Sequence, residues 1–84
     1  MKKEQKENFR KGYHKAVKMA AKSEDKTLKD LSKQIGVANS NNLTSMLKNG
    51  YPNRLLKAVE PFELLNATIE IKINLSNGQK IILK

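Results

Sequence analysis

Asn41, Asn42, Thr44, Ser45 and Lys48 fall in one short segment, with apolar Leu43, Met46 and Leu47 interleaved among them. Amides, hydroxyls and an ammonium at such spacing make a hydrogen-bonding surface rather than a bond-breaking one. They are the groups that read base edges. Asn bonds bidentately to adenine, Ser and Thr donate or accept at several bases, and Lys reaches guanine. If the segment is a helix, its apolar residues turn inward and the polar ones outward, and the outward face holds no acid. Capping and solvation are the plainer use of any one Asn or Ser. The face as a whole, in a chain of net charge +9, points to contact with DNA bases.

The groups that catalysis needs are missing. There is no cysteine, and His14 is the single histidine, set among lysines with no carboxylate at triad or ligand spacing. A surface histidine is the simpler account of it. No glycine-rich phosphate loop and no paired acidic metal motif occurs. Nothing assembles a general acid, a base and an oxyanion site, so the chain does not read as an enzyme, and no cofactor or metal is expected.

Eighty-four residues make one domain near the lower limit of what folds without staples. With 38% hydrophobic residues and only four aromatics, Phe9, Tyr13, Tyr51 and Phe62, the core must be mostly aliphatic. The positive surplus implies a polyanionic partner. It is concentrated at the start, where residues 1 to 26 carry nine Lys and Arg against four Asp and Glu. The longest small-apolar stretch, Ala16 to Ala21, is interrupted by Lys18 and is too short for a signal peptide or a membrane span. A cytoplasmic protein with no membrane role is expected.

Helices must position these groups. Phe9, Tyr13, Ala16, Val17 and Ala20 share one face of a helix over residues 3 to 22, with Lys11, Lys15, Lys18 and Lys22 opposite. That lysine row resembles a phosphate rail, yet a face opposed to the core normally just meets water. Thr27, with Asp30 three residues on, caps a second helix whose buried stripe is Leu28, Leu31 and Ile35, and Gly36 stops it in the left-handed region. Val37 is expected to turn inward after that stop. A third helix starts near Asn39 or Ser40, with Leu43, Met46 and Leu47 on its core side, and is expected to end at Gly50. Pro52 suits the first position of a fourth helix carrying Leu55, Leu56 and Val59. Pro61 is expected to break it, leaving a final short turn through Phe62, Leu64 and Leu65.

From Ala67 the period changes to two. Ile69, Ile71, Ile73 and Leu75 alternate with Glu70, Lys72 and Asn74, a half-buried strand. A three-residue loop, Ser76-Asn77-Gly78, pairs Ile73 with Ile81 and Ile71 with Leu83, and sets Glu70 opposite Lys84. The predicted fold is therefore α+β. A helix-turn-helix domain of four to five helices spans residues 1–66, and an antiparallel β-hairpin spans 67–84, the two forming one compact unit.

Residues 27–50, TLKDLSKQIGVANSNNLTSMLKNG, carry the functional organisation. A short turn between two steeply crossing helices lets the second protrude into a major groove. Lys29, Lys33, Lys48, Arg54 and Lys57 lie on or beside that face; Lys29, Lys33, Arg54 and Lys57 are expected at phosphates and Lys48 at a base edge. The segment resembles the helix-turn-helix family of phage repressors and their bacterial relatives, through Thr27, Leu31, Ser32, Ile35, Gly36, Val37 and Leu43. With its trailing hairpin the layout is similar to phage Cro-type repressors. The resemblance implies Asn41, Asn42 and Ser45 as base readers, and backbone amides near Thr27 and Asn39 as phosphate clamps. One departure stands out: the apolar anchor Leu43 arrives one residue later than the family pattern, so the turn is longer or the helix rotated.

The hairpin also suggests an assembly. A lone two-stranded sheet is marginal in water, and its edges offer unpaired amides and carbonyls. Ile69, Ile71, Ile73, Ile81, Ile82 and Leu83 are expected at a homodimer interface that spaces two recognition helices on double-stranded DNA. The expected function is a sequence-specific transcriptional regulator, repressor-like. The alternative is a small antitoxin or anti-defence protein whose main partner is a protein, bound by strand addition. RNA is disfavoured, since no aromatic sits on the strands to stack a base.

Overall fold

The apolar period around Phe9, Tyr13 and Ala16 builds α1 (Lys3–Ser23) in the computed structural model, which describes residues 2–83. The helix stops at Asp25, whose φ of 53° is left-handed. There the amides of Lys26 and Asp25 donate to the carbonyls of Ala21 and Lys22 at 2.9 and 3.0 Å, satisfying the orphan acceptors of the last turn. A short polar side chain tolerates this backbone better than most. The helix α2 (Leu28–Ile35) opens on Thr27. The Thr27 hydroxyl accepts from the Asp30 amide at 3.1 Å while the Asp30 carboxylate accepts from the Thr27 amide at 3.0 Å. Gly36 ends it at φ 89°, as its sequence position implies.

The expectation of four to five helices is wrong. Among the described residues there are three, because residues 40–64 form one continuous helix, α3. It consists of an α-helical start, Ser40–Ser45, a π-helical turn, Met46–Gly50, and a long α-helical run, Tyr51–Leu64. Gly50 does not terminate anything: its φ and ψ of −59° and −63° are right-handed helical. The Tyr51 amide donates to the Met46 carbonyl, five residues back. The wide turn has a local cause in Pro52, which has no amide to donate and whose ring crowds the carbonyl four residues earlier. Widening also rotates the helix by one extra residue. Buried positions then run Leu43, Leu47, Pro52, Leu56 at steps of four, five and four, keeping a single face inward across the proline. Pro61 does not break the helix either. It lies in the last turn, where only one acceptor, on exposed Lys57, loses its partner. The helix stops instead at Asn66, φ 62°, with the Ala67 amide donating to the Phe62 carbonyl at 2.9 Å.

The hairpin comprises β1 (Ile71–Asn74) and β2 (Lys80–Leu83), antiparallel, with Ile71 opposite Leu83 and Ile73 opposite Ile81. Leu75 and Gln79 close the three-residue loop through a 2.8 Å backbone bond, and Gly78 takes φ 91°, the register predicted from the alternation. Ile69 and Glu70 precede the paired region, and the Glu70–Lys84 pair lies outside the described residues. The inner face of the hairpin packs on α1 and α3: Phe9, Ala16, Leu56 and Leu83 form the core, with Tyr13, Leu55, Ile71, Ile73 and Ile81 against it. Gly12 lets α1 and β2 approach closely, since a β-carbon there would stand 3.3 Å from a Leu83 methyl. Among the described residues, no helix is long and apolar enough to cross a membrane.

Candidate nucleic-acid interface

The α2–turn–α3 unit is held by two caps and one buried anchor. Asn39 is extended at φ −159°, and its side-chain oxygen accepts from the Asn42 amide at 2.8 Å. Between the helices, Gly36 and Val37 both donate to the Ser32 carbonyl at 2.9 Å, folding the chain back sharply. Ser32 is itself buried, and its hydroxyl donates to the Lys29 carbonyl at 2.7 Å, so the small side chain is satisfied on its own helix while α3 packs close. Leu43 is 0% exposed and anchors the start of α3. Val37 is half-buried, as are Leu28 and Leu31, whereas Ile35, expected on the same stripe, is 45% exposed at the end of α2.

With Leu43 turned inward, Asn41, Asn42, Ser45 and Lys48 are all exposed. Asn41, Ser45 and Lys48 recur at steps of four and three, which aligns them along one stripe of the helix. Thr44 is placed differently. It is half-buried, and its hydroxyl donates to the Ser40 carbonyl at 2.9 Å, leaving only lone pairs for a ligand. Thr27, Lys29, Lys33, Asn39, Arg54 and Lys57 are exposed. The side chains of Thr27 and Asn39 are occupied by capping, so a phosphate at either helix start would meet the first backbone amides, which have no intrahelical acceptor. Lys57 also approaches Glu60 at 3.8 Å, an exposed pair of small energetic weight.

The electrostatics of this surface are one-sided. No Asp or Glu occurs between Asp30 and Glu60, while Lys33, Lys48, Arg54 and Lys57 all lie in that interval. Asp30 at its edge is engaged by Thr27. The backbone bond first, then the hydroxyl bond, hold its carboxyl below the ordinary value, and Lys33 and Lys26 add to this.

Sequence reasoning did not pick out the seam between α1 and the π turn. Glu7, Arg10, Lys11, His14, Lys48 and Asn49 line a cleft of about 530 Å³ there. Arg10 is pinned, its Nε donating to the Asn53 side-chain oxygen at 2.7 Å. His14 is half-buried rather than a plain surface residue, and its Nε2 is shielded from water with no hydrogen-bond partner among the described residues. Burial first, then the charges of Lys18 and Lys48, lower its pKa from the ordinary 6.5. The signal was present in the sequence, since Glu7, Lys11, His14 and Lys18 share one helical face. What was missing was any sign that α3 packs beside it.

The residues assigned to a dimer interface lie mostly within the chain's own core. Leu83 is buried and Ile69, Ile71, Ile73 and Ile81 are half-buried, so only Ile82, 50% exposed, projects from the outer face. Phe62, Leu64 and Leu65, at the end of α3, are exposed by 57%, 76% and 77%. No known protein family, curated protein or solved structure matches the chain.

Proposed function

We propose that the chain is a sequence-specific, double-stranded DNA-binding transcriptional regulator of repressor type, which reads the major groove with residues 40–49 of α3 and acts in the cytoplasm. One observation carries this reading: the exposed stripe Asn41, Ser45, Lys48, with Asn42 beside it, on a doubly capped helix pair in the acid-free stretch of a +9 chain. Asn41, Asn42 and Ser45 meet base edges, and Lys29, Lys33, Arg54 and Lys57 meet phosphates. The resemblance to Cro-type repressors rests on the helix-turn-helix residues and the layout of the trailing hairpin.

The test is a titration against duplex DNA from the gene's own upstream region, and against a random duplex, at two salt concentrations. A regulator keeps its preference for one sequence as salt rises, while total affinity falls steeply through counterion release. Binding that ignores sequence at both salts refutes the reading. A homodimer joined through the hairpin completes the proposal. With the inner isoleucines committed to the core, the surfaces left for a partner are the strand edges and Ile82. The exposed Phe62, Leu64 and Leu65 favour a second reading, a protein partner in place of DNA. Sequence-blind DNA binding in the same titration would select it.

A further inference from the structure

We propose that the cleft between α1 and the π turn of α3 binds a phosphodiester of the same duplex, with Arg10, Lys11 and Lys48 as its ligands and His14 in its wall. The proposal rests on the DNA-binding reading above and extends the interface from α3 onto α1. Three permanent cations face a single carboxylate, Glu7, in one cavity large enough for a phosphate and its water. Arg10 is held in place by Asn53 through Nε, so its two terminal nitrogens stay available in a fixed fork, the geometry that suits phosphate oxygens. Lys48 ends the Asn41–Ser45–Lys48 stripe, so the cleft continues directly from the reading face.

His14 supplies the second line of argument. Its Nε2 is shielded from water and has no hydrogen-bond partner among the described residues, so the ring answers to the charges lining the cleft rather than to solvent. The groups facing the ring are Glu7, Arg10, Lys11 and Lys18 from α1, with Lys48 and Asn49 from α3. Their net positive field, with burial, disfavours the imidazolium in the free chain. A phosphate in the cleft reverses that field, so the complex holds the proton more tightly than the free protein does. Binding therefore takes up a proton and strengthens as pH falls through the histidine range, roughly pH 7 to 5.

Duplex binding by the full chain is measured against pH and salt for the wild type, Lys11→Ala, His14→Gln and a control, Glu24→Gln. His14, the sole histidine, is followed by its ring-proton resonance in parallel. The expected result has three parts. Wild-type affinity rises on acidification and His14→Gln abolishes the rise; Lys11→Ala lowers affinity for all sequences alike and reduces the salt slope by about 0.9; and duplex raises the His14 midpoint. Wild-type binding that is unchanged in slope and pH dependence by both cleft variants overturns the cleft and leaves the DNA reading standing. No duplex binding by the wild type removes the reading and the cleft together. Inorganic phosphate that raises the His14 midpoint as far as duplex does at equal phosphate concentration overturns the backbone assignment in favour of a free-anion site.

Discussion

Gly50→Ala should stabilise the chain. Gly50 occupies ordinary right-handed helical space, φ −59° and ψ −63°, inside α3. A methyl group built on it would meet the Met46 β-carbon at 3.8 Å, normal van der Waals contact with nothing displaced. Glycine within a helix costs about 0.5–1 kcal/mol relative to alanine, mainly through the freedom it has in the unfolded chain. The substitution should recover that amount. In a domain of this size about 1 kcal/mol moves Tm by roughly 4–8 °C, so a rise of about 2–8 °C is expected. Gly36→Ala supplies the opposite sign. Nothing lies within 4 Å of a β-carbon there, yet φ is 89°, so the penalty is purely backbone, about 1–2 kcal/mol, and Tm falls. Thermal unfolding followed by far-ultraviolet circular dichroism reads both. If Gly50→Ala lowers Tm as Gly36→Ala does, Gly50 is left-handed in solution, α3 is interrupted there, and the π-turn account of its continuity fails.

Thr27→Ala removes the cap of α2 and should cost about 1 kcal/mol by urea unfolding at neutral pH. Because the Asp30 carboxyl is held below its ordinary 3.8 in the folded chain, its stabilising contribution is present above about pH 4 and is lost as acid protonates it. The stability gap between wild type and Asp30→Asn should accordingly close in acid, and a gap that widens there would contradict the bonding to Thr27. Asn42→Ala and Ser45→Ala should each relax sequence preference by about 1–3 kcal/mol while leaving random-duplex affinity in place, whereas Lys57→Ala should weaken every sequence equally. Identical behaviour of the two classes would displace the reading face. Ile82→Lys should convert the proposed dimer to monomer in sedimentation while leaving the circular dichroism spectrum of the folded chain unchanged, since its side chain is half exposed and outside the core; a dimer that survives moves the interface off the hairpin's outer face.

Much of the fold was legible because it is written in local chemistry. Thr27 with Asp30, Gly36, Asn39 and Gly78 each act on backbone groups within a few residues of themselves, so α2, the start of α3 and the hairpin register follow from short windows of sequence. Asp25 and Asn66 act the same way, and an Asp or Asn beyond the last apolar residue was the available sign of a stop. The same local rules failed at Gly50, Pro52 and Pro61. There the favourable local ending lost to burial of Leu43, Leu47, Pro52 and Leu56 on one continuous face, made possible by a five-residue step.

The exposed polar face proposed to read bases was likewise visible in the sequence, since burial of Leu43 turns Asn41, Asn42 and Ser45 outward. Its partner surface was not. Alternation shows that Ile71, Ile73, Ile81 and Leu83 share a side, but whether α1 or a second chain covers that side depends on contacts made from far along the chain. Periodicity gives the faces of α1, while only packing shows that two of them are covered, one by the hairpin and one by the π turn of α3. That second contact takes the His14 Nε2 out of water and sets the ring beside Lys48, two residues far apart in the helical region, whose proximity no local pattern encodes.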